Sequence, residues 1–300
     1  MHFPVLLKEV GEYLLPEHLV HQSDSLSDKF FIDATIGEGG HSLALLKKNN
    51  YQGKILGIEA DPKSALKLKE KIKDLGLEKN FIIINDNFVN LKKIIKENRF
   101  FSVDGILFDL GLSSGLIEES GRGFSFMRQE VLDMRFNPYH KNLTAAHILN
   151  QYSEEELKNI FKIYGGERFS GRIAREILAE RKKEKIILTN QLVRIIKQAL
   201  GFRYHIKSSA RVFQALRIEV NDELENLKKV LADSLEILPE GVKIAVISYH
   251  SGEDRIVKRF FKDESKIKEL TKKPISPSEQ EIKKNKRARS AKLRVGEKIS

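Results

Sequence analysis

Several places along this chain set reactive side chains beside the residues that end a strand. Phe30-Phe31-Ile32-Asp33 runs into Ala34-Thr35-Ile36-Gly37-Glu38-Gly39-Gly40-His41-Ser42. A short apolar run that closes on an acid and then glycines marks a buried strand feeding a tight turn and a helix. Glycines there accept positive φ or let a ligand reach the backbone, and the helix behind them presents its free N–H groups. Lys54-Ile55-Leu56-Gly57-Ile58-Glu59-Ala60-Asp61 repeats the pattern roughly twenty residues on, where sheets of this kind hold the two hydroxyls of a ribose. Phe81 to Ile84 leads into Asn85-Asp86-Asn87-Phe88. Val103 to Phe108 leads into Asp109-Leu110-Gly111-Leu112-Ser113-Ser114.

These residue types restrict the chemistry. The glycine spacing is neither the G-x-G-x-x-G of dinucleotide enzymes nor a phosphate loop ending in Gly-Lys-Ser/Thr. Glu59 and a turn built on Gly37, Gly39 and Gly40 imply an adenosine-bearing cofactor. Asp33 and Glu38 would repel a pyrophosphate but suit a sulfonium and a free amino group. S-adenosylmethionine is therefore favoured over NAD, with Phe88 flanking the adenine. Asp109 stands where donor would meet acceptor, and methyl transfer is an in-line displacement governed by positioning. If the acceptor is the exocyclic amine of a base, a hydrogen-bond acceptor on that amine biases its lone pair towards attack, a role open to Asp109 or Ser113. Both also have plain structural readings, an acid capping a strand-end turn and a serine in a turn. His250 reads equally as a substrate contact or a hydrogen-bonded structural histidine. His18 and His21 read as surface residues, and nothing points to a metal site or a nucleophilic triad.

The elements needed to position these groups follow from the pattern. Four strands alternate with helices and gather polar residues at their carboxyl ends, which predicts an α/β fold with a doubly wound, mostly parallel sheet. From Gly115 to about Ser209 the alternation gives way to helices, with a capping box at Ser153 and Glu156, a helix over Ser170 to Lys183 and another over Thr189 to Leu200. This predicts a helical subdomain at 115–209 inserted into a domain made of 1–114 and 210–300. A long helix then carries Phe213, Leu216, Val220, Leu224, Leu227 and Leu231 at three- and four-residue steps. A fifth strand runs from Val242 to Ser248, ahead of Tyr249-His250-Ser251, and Ala291 to Val295 is a candidate final strand.

Composition bounds the setting. The 300 residues carry a formal net charge of +11 and no cysteine, which excludes disulfides, thiol chemistry and cysteine-ligated metals. No apolar run approaches the ~20 residues that span a bilayer. The first residues lack a secretory pattern, so a cytoplasmic protein is expected. From Ile256 to Ser300 there are 15 Lys or Arg against 6 Asp or Glu. That tail is either solubilising or made for a polyanion, of which nucleic acid is the commonest.

Six motifs in order carry a resemblance. They are Asp33-Ala-Thr-Ile-Gly-Glu-Gly-Gly-His-Ser42, Asp109-Leu-Gly-Leu-Ser-Ser114, Gly123-Phe-Ser-Phe-Met127 with Leu132-Asp-Met-Arg135, Phe213-Gln-Ala-Leu-Arg-Ile-Glu-Val-Asn-Asp-Glu-Leu224, Ile247-Ser-Tyr-His-Ser-Gly-Glu-Asp-Arg-Ile-Val-Lys-Arg-Phe260 and Arg287-Ala-Arg-Ser-Ala-Lys-Leu-Arg294. With these, the chain resembles the bacterial ribosomal RNA small-subunit methyltransferase H family from His2 almost to its end. The resemblance implies a class I methyltransferase sheet with a helical insertion that recognises substrate. It also implies transfer from S-adenosylmethionine to N4 of a cytosine in the decoding region of 16S ribosomal RNA. Cofactor contacts carry over onto Gly39, Gly40, His41, Glu59, Phe88 and Asp109, and Arg287, Arg289, Lys292 and Arg294 are the expected RNA contacts. The partner is the small ribosomal subunit, with no metal or membrane expected and either a monomer or a homodimer. Four positions depart from the pattern of many relatives. Ser113-Ser114-Gly115-Leu116 replaces Ser-Ser-Pro-Gln, so a glutamine contact to the cofactor is absent. Gly252 replaces a leucine, and Glu59 replaces the shorter aspartate. Rival readings are a DNA amino-methyltransferase, a non-catalytic RNA-binding assembly factor and, more distantly, a dehydrogenase.

Overall fold

A computed structural model of the protein describes residues 4–16, 29–98, 100, 102–139 and 143–300. His18 and His21 lie outside the described residues. The chain divides into two compact units, Met1–Gly111 with Leu224–Ser300, and Leu112–Glu223.

In the first unit the described residues form a seven-stranded sheet. Its strands are β1 (Phe30–Asp33), β2 (Lys54–Glu59), β3 (Phe81–Asn85), β4 (Gly105–Asp109), β5 (Lys243–Ser248), β6 (Ile267–Glu269) and β7 (Lys292–Lys298), in the order β3-β2-β1-β4-β5-β7-β6. The strands from β3 to β5 run parallel; β7 lies antiparallel to β5 and β6 antiparallel to β7. Strand order reverses between β1 and β4, and a sheet of this type opens its crevice outside the carboxyl ends at such a reversal.

Because successive strand residues point to opposite faces, each strand feeds two cores. Phe30, Ile32, Leu56, Ile58, Ile106, Phe108, Ile244 and Val246 pack on one side, with Leu91 and Ile94 of α4 (Leu91–Asn98) and Leu227 and Leu231 of α11 (Glu223–Ile237). Phe31, Ile55, Leu107, Ala245 and Ile247 pack on the other. They meet Val10 and Leu14 of α1 (Leu7–Leu14), Leu45 and Leu46 of α2 (Gly40–Lys48) and Leu68 and Ile72 of α3 (Pro62–Asp74).

The second unit is helical, with α5 (Ser114–Glu118), α6 (Ala145–Gln151), α7 (Glu154–Ile163), α8 (Ser170–Arg181), α9 (Thr189–Leu200) and α10 (Ile206–Asn221) around its own apolar core. The capping box at Ser153 and Glu156 is present. One expectation needs correction. The long helix drawn through Phe213 to Leu231 is two helices, broken where Asp222 takes φ 52°. Val212, Phe213, Leu216 and Val220 are buried in the helical core, whereas Leu227 and Leu231 are buried against the sheet. Two apolar stripes that fall into phase read as one. The chain divides at 111/112 and 223/224, where 114/115 and 209/210 were expected. Strand β6 and α13 (Glu279–Lys284) had no signal in the sequence, since a three-residue strand and a single helical turn or two are too short to show periodicity.

Just before the break, Asn221 fastens the end of α10 to the loop ahead of α6. Its Oδ1 accepts the Phe136 N–H at 2.9 Å, and its Nδ2 donates to the Met134 carbonyl at 2.8 Å and the Arg217 carbonyl at 2.9 Å. Asn221 is buried, so truncation strands polar backbone groups. Asn221→Ala is expected to destabilise the protein by about 2 kcal/mol, read as a shift of the urea unfolding midpoint at unchanged slope.

Candidate active site

The turn after β1 is held by backbone demands at two glycines. Gly39 takes φ 77°, and a Cβ on Gly40 would stand 2.4 Å from the Pro4 ring. Gly40 is therefore required by the approach of the N-terminal segment. The His41 ring is buried, its Nε2 2.8 Å from the Val5 carbonyl and its Nδ1 3.7 Å from Asp109 Oδ2.

Glu59, at the end of β2, reaches across to this turn. Its Oε2 accepts the Gly37 N–H at 3.0 Å and its Oε1 the Asp61 N–H at 2.8 Å. Burial pushes its pKa up to about 7; the two amide bonds oppose that rise, and the charges of Asp61 and Asp33 add to it. Asp33 is raised to about 6 in the same way. Burial dominates, its hydrogen bonds from Ser42 Oγ at 2.6 Å and Thr35 N–H work against it, and the charge of Asp109 adds to it.

Asp109 closes β4 with its backbone N–H donated to Thr35 Oγ1 at 2.6 Å and its Oδ1 accepting the Gly111 N–H at 3.2 Å. The carboxylate remains partly open, its side chain 20% exposed. Tyr249, just past β5, lies across Gly111, where a Cβ would come within 2.9 Å of the ring. The Tyr249 hydroxyl is held far above its ordinary pKa, by burial first and then by the charge of Asp109, to which it hydrogen-bonds. Sequence reasoning placed Tyr249 at a strand end but gave its side chain no task. Gly111, the small residue that admits the ring, is the signal that was available.

Phe88 opens the short 3-10 turn Phe88–Asn90 and meets Phe108 edge-on, with centroids 6.1 Å apart. Ser113 belongs to the helical unit, where its Oγ caps α5 by accepting the Leu116 N–H at 3.2 Å. Leu116 is buried in that unit's core. His250 caps α12 (Ser251–Asp263), and Glu253 Oε2 accepts the N–H groups of Tyr249 at 2.7 Å and His250 at 3.2 Å. A Cβ at Gly252 would approach the His250 ring at 3.1 Å. The start of this helix is fixed by its cap.

The basic tail divides. Arg287 and Arg289 are exposed on the 3-10 turn Lys286–Ser290. Arg294 is buried, with Nε donating to Asp254 Oδ1 at 2.8 Å, and Lys292 Nζ donates to Asp254 Oδ2 at 2.9 Å. Burial works against the Asp254 charge, and these two cations more than reverse it, holding its pKa below the usual value. Arg294 is therefore withdrawn from the expected RNA contacts; it sits inside the sheet opposite Val246. Lys292, half-exposed, is largely committed to the same carboxylate.

The strand ends fit a cationic, ribose-bearing ligand. Asp33, Glu59 and Asp109 form a chain of acids in which the Asp109 charge raises Asp33 and the Asp33 charge raises Glu59. A bound sulfonium and amino group would relieve that repulsion. Glu59 uses two of roughly four acceptor positions on backbone amides, which leaves the others able to accept from hydroxyls.

The doubly wound sheet, with antiparallel β7 beside β5 and acids at the ends of β1, β2 and β4, is that of a methyltransferase, as the family match and the relatives show. The family model described as the MraW methylase family matches residues 1–299. Relatives named ribosomal RNA small subunit methyltransferase H are similar throughout. The protein of Dictyoglomus thermophilum is 46% identical over 300 residues, covering 99% of this chain and 96% of the relative. That of Clostridium botulinum strain Loch Maree is 41% identical over 318 residues, covering 99% of both, and that of Halothermothrix orenii is 40% identical, covering 99% and 98%. The chain belongs to the MraW methylase family.

The raised pKa of Glu59 gives a pH dependence with a definite sign. A folded-state value near 7 against 4.5 means the folded protein binds the proton more tightly. The resulting stabilisation is complete below pH 4.5 and is lost as pH rises through 7, on the order of 3 kcal/mol. Ribose hydroxyls donate to the ionised form, so donor affinity is expected to rise from pH 6 to 8. Glu59→Gln should flatten the Glu59 part of the stability slope in donor-free chemical unfolding and reduce the pH dependence of donor binding in calorimetry, leaving the part that Asp33 contributes.

Proposed function

We propose that this protein methylates N4 of a cytosine in the small-subunit ribosomal RNA, acting in the cytoplasm. The observation that carries the reading is the Asp109 carboxylate, the strand-end acid that is held by Gly111 and Tyr249 yet still partly exposed. S-adenosylmethionine supplies an activated methyl group when bound. Glu59 and the Gly37 to Gly40 turn hold its adenosine end, and Asp33 offsets its positive charge. Phe88 lines the adenine.

Asp109 accepts a hydrogen bond from the exocyclic N–H₂ of the cytosine. This counters delocalisation of the nitrogen lone pair into the ring and points it at the methyl group. Bound there, S-adenosylmethionine would supply the methyl group as a sulfonium that leaves as a thioether, and the proton lost from the amine would pass to the hydrogen-bonded Asp109 carboxylate and on to solvent. Tyr249, kept neutral, fixes the carboxylate from the other side. The base has to leave its stack to reach this acid. Arg287 and Arg289 on the exposed tail, and the cations of the helical unit, supply phosphate contacts. The helical unit is read as the substrate-recognition part of the chain, and Ser113 as a cap with a hydroxyl hydrogen still free to serve substrate.

The test is a labelled methyl-transfer assay on small ribosomal subunits, naked ribosomal RNA and duplex DNA, with the product nucleoside identified by mass spectrometry. N4-methylated cytidine from a ribosomal substrate is expected, with RNA affinity falling steeply between 50 and 200 mM salt. Label in DNA alone would overturn the substrate class. Donor binding with no transfer to any substrate would leave a non-catalytic assembly factor. Asp109→Ala is expected to lower transfer by a factor on the order of 10² or more with the unfolding midpoint little changed; near-normal turnover would remove Asp109 from the mechanism.

A further inference from the structure

The loop between α9 and α10 displays an aromatic side chain in an unusual setting. Gly201 takes φ 52° and ψ −127°, a conformation closed to residues with a side chain. It turns the chain into the 3-10 segment Gly201–Arg203, on which Phe202 stands 89% exposed. Single exposed apolar residues are ordinary; the surroundings of this one are not. The Arg203 guanidinium lies 4.2 Å from the Phe202 ring centroid, and Lys197 Nζ lies 5.5 Å from the ring of Tyr204.

From Lys185 to Ile218 the sequence contains no Asp or Glu, yet it carries seven Lys or Arg. Arg194, Arg211 and Arg217 are answered by Glu180, Glu167 and Glu223. Lys197, Arg203 and Lys207 are exposed, and among the described residues none of these three pairs with a carboxylate. An aromatic face beside uncompensated cations is the combination with which proteins hold single-stranded nucleic acid, the ring stacking on a base and the cations meeting phosphates.

We propose that Phe202 is a stacking platform for one unstacked base of the RNA substrate, with Lys197, Arg203 and Lys207 holding the phosphates on either side. The proposal rests on RNA being the substrate, and it adds a binding site in the helical unit apart from the residues that touch the methyl donor. Stacking of this kind is indifferent to base identity. It therefore supplies affinity for looped or single-stranded RNA over duplex, while the sequence is read elsewhere.

The chain has no tryptophan, so Phe202→Trp places a single fluorophore at the proposed contact. With the full-length protein, a single-stranded RNA oligonucleotide is expected to quench this tryptophan, and a duplex of the same sequence or inorganic polyphosphate is not. Phe202→Ala is expected to weaken single-stranded RNA binding on the order of tenfold in fluorescence anisotropy, with unchanged calorimetric affinity for S-adenosylmethionine and an unchanged unfolding midpoint. RNA binding without quenching, or parental affinity in Phe202→Ala, would overturn the platform and leave the methyltransferase reading intact. Loss of affinity for assembled subunits but not for naked RNA would assign the ring to a protein contact and also overturn it. A parent protein that binds no RNA would remove both readings.

Discussion

The buried Glu59 carboxylate, shared between the N–H groups of Gly37 and Asp61, is the constraint on which the strand-end constellation depends. Each oxygen holds a different piece of backbone. One arm fixes the glycine turn that follows β1, and the other fixes the start of the segment that α3 continues. A charged group in so little solvent is costly unless it is answered by donors, and two amides answer it incompletely. The residual cost is the physical reason the acid titrates near neutrality, and it is what a ligand bringing hydroxyl donors removes. The turn and the strand end are thus one electrostatic arrangement.

The acids beside it extend the same logic. Asp33 is satisfied mainly by Ser42, one turn into α2. Asp109 is served from three directions, by Thr35 on its backbone, Gly111 on one carboxylate oxygen and the Tyr249 hydroxyl across the sheet edge. Graded burial separates their work. Burial raises the two innermost carboxylates towards neutrality, whereas the outermost keeps a side open to solvent. A chain with +11 overall nevertheless builds its crevice from acids.

The strands that carry the acids were legible in the sequence because continuous apolar runs closed by polar residues have few alternative readings. The parallel order, the capping box at Ser153 and Glu156 and the helix over Thr189 to Leu200 followed from equally local signals. What escaped was anything set by tertiary contact. Arg294 belongs to a basic run by sequence and to the interior by structure, since only the pairing of β7 with β5 brings Asp254 within its reach. The break at Asp222 was hidden because the apolar spacing continues through it while the side chains change core. Gly40 was read as room for a ligand, and its neighbour is Pro4. Tyr249 was visible as a strand-end residue, but its partner stands on another strand.

The pairing of Asp109 with Ile247 has a kinetic side. The two strands are adjacent in the sheet, yet the whole helical unit intervenes between them in the chain. Closing so long a loop is entropically slow, and high contact order lengthens folding. Until β5 arrives, β4 presents an unpaired edge with the acid at its tip. The helical unit, whose contacts are local and whose core is its own, is under no such delay. It is therefore expected to form ahead of the β4–β5 pairing.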